Sequence, residues 1–556
     1  MKLLLLASAI LAGMLQDGDF LSAVLSLSGA GTPEELTESE MERYESLARH
    51  PIRINLSSRS HLLSCGLFST YQVASMCDYI ASYGDILSAS ELGMVNGFNP
   101  DLACSLAHFI SFDSHAPPGK SVRRKARQDA LLGFAAKGRR DAYSIKYHLS
   151  HAEKAEVYVG GRKRYTDSSF GKPDFCCSVY GKRAWNIILG DFNARLGQGL
   201  LAWSGMTLSG VPTVAALRKN PGGFSPTSSF SPGFRGICAG WFPGRTAVRA
   251  AVATDGSCMA SFSLTGKTFN AGFNALLSGG NYGISSDWQL GMGHFLWYGE
   301  SALSSGGPAI LSGMQWSPAY KSVITILGRY YSRDYFCDHA GAVRSASKVS
   351  DEAGASLAAQ YRRLLFTLDT AIHPERIEKQ KKNQHGAKML VDASPVLGIG
   401  KFTLAPSLRW TEKLTDSRRH DLRADLSVSR EPFSVKWRLN LVKCENTGWL
   451  SYTEVGYKYG RDSSRLRVSL FLRGTFYDTP DWETRIYCYE RDIPGSFSVP
   501  ACYGRGYSYS AIFSLKLRSM QNIRHTINLR ATIAEALHGG SIASRRELKM
   551  QYQVDL

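Results

Sequence analysis

Near the C-terminus, Leu548, Met550, Tyr552, Val554 and Leu556 alternate with Lys549, Gln551, Gln553 and Asp555. A side-chain period of two describes a strand with one apolar and one polar face, and a helix cannot present it. The pattern recurs upstream. Phe433, Val435, Trp437, Leu439 and Leu441 alternate with Ser434, Lys436, Arg438 and Asn440. Leu422, Ala424, Leu426 and Val428 alternate with Arg423, Asp425, Ser427 and Ser429, and Leu466, Val468, Leu470 and Leu472 lie opposite Arg465, Arg467, Ser469 and Arg473. Each run is about nine to eleven residues long, which is what a tilted strand needs to cross a bilayer. A soluble sandwich would turn the arginines and lysines to water, whereas a membrane barrel points them into its lumen. The chain is read as an antiparallel transmembrane β-barrel of roughly sixteen strands over residues 128–556.

The rest of the composition agrees with an exported protein. Lys2 followed by the apolar run to Gly13 reads as a secretory signal over residues 1–16. No stretch approaches ~18 uninterrupted apolar residues, so a membrane form has to be a barrel, because only helices and closed sheets satisfy their backbone in lipid. A last strand ending on an apolar residue leads to the expectation of an outer-membrane location, with outer-membrane lipid around it. The 11 cysteines form no C-x-x-C pair, and they are expected to act as small apolar fillers.

Charge divides the chain. The formal balance is +18. Residues 17–50 hold Asp17, Asp19, Glu34, Glu35, Glu38, Glu40, Glu42 and Glu45 against Arg43 and Arg49. Residues 51–112 hold Asp78, Asp85, Glu91 and Asp101 against Arg53 and Arg59. An acidic head therefore precedes a strongly basic body, and the split predicts two regions.

Thr32-Pro33-Glu34-Glu35 carries the signals of a helix start: a cap, a proline at the first position and acids in the first turn. One acidic helix is expected from there to about Arg49. Ile54-Asn55, Leu63 and Gly66-Leu67 follow, then Tyr83-Gly84, Leu87, Glu91-Leu92, Val95 and Gly97-Phe98. In order and spacing these residues resemble a tandem helix-hairpin-helix domain of the ComEA-like (RuvA domain 2-like) kind over 51–112. The resemblance implies a small all-α periplasmic domain whose glycine turns, at Gly66, Leu67, Gly97 and Phe98, offer backbone N–H groups to a nucleic-acid phosphate. The head carries no lysine between 51 and 112, whereas a phosphate-binding module should be basic. The densest basic run is Lys120, Arg123, Arg124, Lys125 and Arg127, in a linker over 113–127. It is the stronger candidate for holding DNA.

Leu189 to Leu200, containing Gly190, Asp191, Arg195, Gly197, Gln198 and Gly199, with Phe234-Arg235-Gly236 downstream, resembles a signature of Bacteroidota exported proteins that pair such a head with a long β region. Read physically, it is a strand ending in a turn, with Asp191 and Arg195 as an interior ion pair and the glycines allowing a segment folded into the lumen. His148 and His151 close a strand and make an improbable metal site. Asp334, Asp338 and His339 read as a polar loop, and His373 to His385 as an extended solvated loop. No nucleophile–base pair, metal cluster or cofactor motif stands out. The expected fold is α+β multidomain, with the helical domain before the barrel and no catalysis. DNA binding or uptake is the first functional expectation. Docking of a periplasmic or outer-membrane protein by the head is the alternative.

Overall fold

Two-residue glycine turns such as Gly279-Gly280 and Gly539-Gly540 hold both residues at positive φ. They join strands that lie next to each other in space, as that turn chemistry requires. In the computed structural model, which describes residues 16–114, 126–151, 153–181, 184–205, 212–319, 321–415, 417–460, 464–519 and 523–556, such antiparallel neighbours continue all the way round. Arg127–Lys137 pairs with the last strand, Ser541–Asp555, and closes a barrel of 24 strands. The expected count of about sixteen was too low. Strands such as Thr246–Ala253, eight residues long and half alanine, lack the large apolar side chains that made the later strands legible.

The pleat sorts the side chains as the alternation predicts. Leu472 is 50% exposed on the outside, and its neighbour Arg473 is 7% exposed inside. Val435 and Trp437 lie outside, whereas Arg438 is buried. No described helix is long and apolar enough to cross a membrane.

One mouth of the barrel carries both chain ends of the β region and connections of at most eight residues. At the other mouth lie the long connections 196–233, 332–351 and 480–503, whose described residues contribute side chains to the interior. The first two merge with the wall in one apolar core that includes Phe192, Leu200, Leu217, Phe224, Tyr298, Leu327 and Tyr335.

The head comprises α1 (Gln16–Ser28), α2 (Glu38–Arg49), α3 (Arg59–Ser64), α4 (Thr70–Tyr83), α5 (Ala89–Leu92) and α6 (Pro100–Leu106). The single acidic helix expected from Thr32 is instead a 3-10 turn, Pro33–Glu35, followed by α2. The break occurs because Thr37, not Thr32, makes the side-chain cap, accepting from the N–H of Glu40. Asn55 ties the head together. Its side chain donates to the Ile86 carbonyl (2.8 Å) and accepts from the Ile86 N–H (3.0 Å). Ile52–Arg53 pairs in parallel with Ile110–Ser111. The fully buried core of the head takes only Phe242 and Ala247 from the barrel among the described residues.

Candidate functional site

The acidic head is seated in the basic barrel. Its first turn reaches deep into the lumen, where Glu34 accepts from Arg438 (2.7 Å), Arg423 (3.2 Å) and the N–H of Tyr489 (3.1 Å). Glu38 pairs with Arg162 at 2.8 Å and Glu42 with Lys146 at 3.3 Å. Glu45 accepts from the N–H of Gly495. At the mouth that carries the chain ends, Asp78 pairs with Arg245, and Asn186 donates to Ser64 at 2.6 Å. The charge split thus marks two surfaces that meet within one chain. Burial alone would raise the Glu34 carboxyl, but Arg423 and the Tyr489 N–H outweigh it and hold the group below the usual carboxylate range.

The loop over 480–503 reaches the same place from the opposite mouth. Glu490 and Asp492 take Arg530 between them at 2.6 Å each, and Lys549 adds a 2.7 Å contact to Asp492. Between head, loop and wall remains a cavity of about 390 Å³, edged by Arg465, Arg467, Arg518 and Arg524 and by Glu45 and Asp555.

The glycine-rich signature forms a second closure. Asp191 is buried and pairs with Arg235, directly opposite in strand register, while its other oxygen accepts from the N–H of Phe175 at 2.9 Å. The expected pair with Arg195 does not form, because four residues along a strand separate two side chains by about 13 Å. Arg195 donates instead to the Ser204 carbonyl at 3.0 Å. Gly190 is at φ +105, where a Cβ would strike the Phe175 carbonyl. At Gly197, φ +52, a Cβ would lie 2.6 Å from the Glu300 carboxylate. That carboxylate accepts from the N–H groups of Gln198 (2.6 Å) and Leu200 (3.0 Å). Gln198 exchanges two hydrogen bonds with the backbone of Lys219, and the carbonyl of Gly199 accepts from Gly341 at 2.8 Å.

The residues expected to meet nucleic acid are dispersed. Gly66 lies against Arg43 and Ser225, with its carbonyl bound by Arg43, and Leu67 is buried. Gly97 packs on the Tyr71 ring, and Phe98 on Phe68. Lys120, Arg123, Arg124 and Lys125 lie outside the described residues, and Arg127 opens the first barrel strand instead of ending a linker. The expected signal over 1–16 also lies outside the described residues, apart from Gln16. His373, expected in a solvated loop, is buried, and its Nδ1 lies 2.7 Å from the Asp351 carbonyl.

Sequence reasoning missed the seam between head and wall. His50 and His148 both approach Asp129, and His61 approaches Glu156 at 3.4 Å. The histidines of the head and the carboxylates of the wall are separated by scores of residues, so spacing carried no signal.

No family model and no curated protein matches the chain. Solved structures show fold likeness. The P pilus usher (PapC) translocation pore aligns at 10% identity over 78% of this chain and 99% of that one, with a TM-score of 0.39. PapC in the E. coli P pilus tip assembly intermediate aligns at 10% identity over 81% of this chain and 63% of that one, with a TM-score of 0.46. Pseudomonas aeruginosa OccK5 (OpdH) aligns at 7% identity over 78% and 97%, with a TM-score of 0.31.

Proposed function

We propose that the protein is a non-enzymatic outer-membrane channel that its own N-terminal head closes from the periplasmic side. The apolar exterior supports the membrane, since a closed sheet with leucine, valine and tryptophan outside leaves no backbone group unpaired toward lipid. Glu34, held inside the lumen by Arg423, Arg438 and the Tyr489 N–H, carries the assignment of the head as a gate. The two closures differ in kind. The segment 196–233 belongs to the barrel's apolar core, whereas the head has a core of its own and meets the wall mostly through charges and hydrogen bonds. Water can replace such contacts, so the head can leave and the inner loop cannot.

The likeness of the head to helix-hairpin-helix modules enters this reading as a description of its form, with the lumen in place of DNA. Nucleic-acid binding is the weaker reading: the Gly66 turn faces the barrel interior, and the acids of the head pair with cations of the barrel wall. A periplasmic protein that opens the gate would meet Tyr83, Leu87 and Met94, large side chains that the head leaves exposed.

The deciding experiment is single-channel recording in planar bilayers. Removing residues 16–112 should produce a larger conductance than the parent's, shifted toward anions, because Arg162 and Lys146 lose Glu38 and Glu42 and both Arg423 and Arg438 lose Glu34. The parent protein should stay mostly closed. Equal conductance of the two forms sinks the gate.

A further inference from the structure

We infer that His50, Asp129 and His148 form a binding site for one divalent transition-metal ion of the zinc class, which fastens the head to the barrel wall. The ligand atoms of the three residues all lie within 4.8 Å of one another. His50 caps α2, whereas Asp129 and His148 face each other in register on the first two barrel strands. Imidazole nitrogen and carboxylate oxygen are the donor set that zinc and its neighbours prefer.

His50 Nε2 lies 2.7 Å from Asp129 Oδ1, and His148 Nδ1 shares a 3.0 Å hydrogen bond with the same oxygen. Two imidazole nitrogens from two different parts of the fold thus converge on one carboxylate oxygen. Ligands of a tetrahedral ion at about 2.05 Å stand ~3.3 Å apart, so the two nitrogen–oxygen separations would open by about 0.6 and 0.3 Å to accept the ion.

The surroundings fit as well. The Tyr158 ring stacks on His148 at 4.2 Å and fixes its plane. Arg49 stands 4.0 Å from Asp129 Oδ2, leaving the first oxygen as the ligand. Beside the cluster is a cavity of about 20 Å³ lined by Ser46, Lys146, Thr227 and Ser228, which is room for one water as fourth ligand. Lys146 does not repel an ion unopposed, because Glu42 pairs with it.

The site concerns the ion alone and holds whether or not the head proves to be a gate. The test uses the full-length protein in detergent micelles, stripped by chelator and titrated with Co²⁺, then challenged with Zn²⁺. One Co²⁺ per chain should bind, displaced by Zn²⁺. His50→Gln and His148→Gln should each weaken binding at least ~10-fold, and His61→Gln, at the same seam, should leave it unchanged. Heat-modifiable migration reports whether each variant is folded. A second measurement needs no variant: Zn²⁺ should slow diethylpyrocarbonate modification of His50 in the parent chain and leave the exposed His151 unaffected. Absence of a stoichiometric site, equal affinity in folded His50 and His148 variants, or equal modification of His50 with and without Zn²⁺ overturns the assignment.

Discussion

Glu34 and Arg438 stand 404 residues apart in the chain and 2.7 Å apart in the lumen. Arg438 also donates to Asp425 at 2.6 Å, and Arg423 does so at 2.7 Å, so both arginines keep one partner if Glu34 is neutralised. Glu34→Gln should therefore weaken seating of the head by about 1–3 kcal/mol, below the cost of an orphaned buried charge. Recordings in planar bilayers should show more frequent opening. Unchanged opening in a folded Glu34→Gln protein contradicts the lock.

Seating should also depend on pH. His61 faces Glu156, Glu153, Ser57 and the ring of Tyr180. Burial works to lower its pKa, but the hydrogen bond to Glu156 and the two nearby carboxylates outweigh this, so the net direction is upward from 6.5. A raised histidine contributes fully below its unfolded value and loses that contribution as pH climbs through the folded one. Glu45 acts in the same sense. Burial pushes its carboxyl up to about 7, so seating weakens as pH rises from about 4.5 to 7. Glu34 has the opposite sign, and its contribution fades only on acidification below about 4.5. The urea midpoint for release of the head should fall between about pH 6 and 8, and His61→Gln should flatten that slope. A midpoint that rises over this range refutes the assignment.

Asp191→Asn removes the charge that the side chain of Arg235 meets across the strand pair, while Arg235 keeps Asp174 at 3.2 Å. The cost should be about 1–3 kcal/mol. The expected result is a lower temperature for loss of heat-modifiable migration. A shift no larger than that of a surface substitution would show that the pair carries little of the stability.

Gly197→Ala and Gly138→Ala both place a side chain at positive φ. Nothing lies within 4 Å of the Cβ at Gly138, whereas at Gly197 it meets Glu300. The first should cost about 1 kcal/mol. The second should cost clearly more, because the carboxylate that organises Gln198 and Leu200 has to move. Equal losses would mean that the turn is not clamped.

The outer face supplies a control on the membrane itself. Leu472→Arg, near the middle of Leu466–Thr479, should destabilise the barrel by about 2–4 kcal/mol in lipid vesicles. Little or no loss there would contradict a lipid-facing position.

Large apolar residues at every second position made Phe433–Lys443 and Ser541–Asp555 legible as strands, and the register pairs their neighbours as the alternation implies. Thr246–Ala253, built on alanines, gave no comparable contrast, which is why the barrel seemed smaller than it is. The charge split was visible too, but the place where the two halves meet was not, because Glu34 has no local partner. Asp191 was assigned to Arg195, its neighbour in sequence. A long inward loop separates it from Arg235, and only the register brings the two together. The histidine pair at Asp129 draws on three elements, so no window of sequence contains it.

The arrangement around Glu34 also orders events during biogenesis. A ribosome completes the head well before Arg423, Arg438 and Tyr489 exist, and these three come from separate elements that converge only when the wall has formed. Early strands can hold the head through Arg162 and Lys146, but the contacts of Glu34 wait for the late ones. Capture of that single carboxylate therefore ties the start of the polypeptide to its last third.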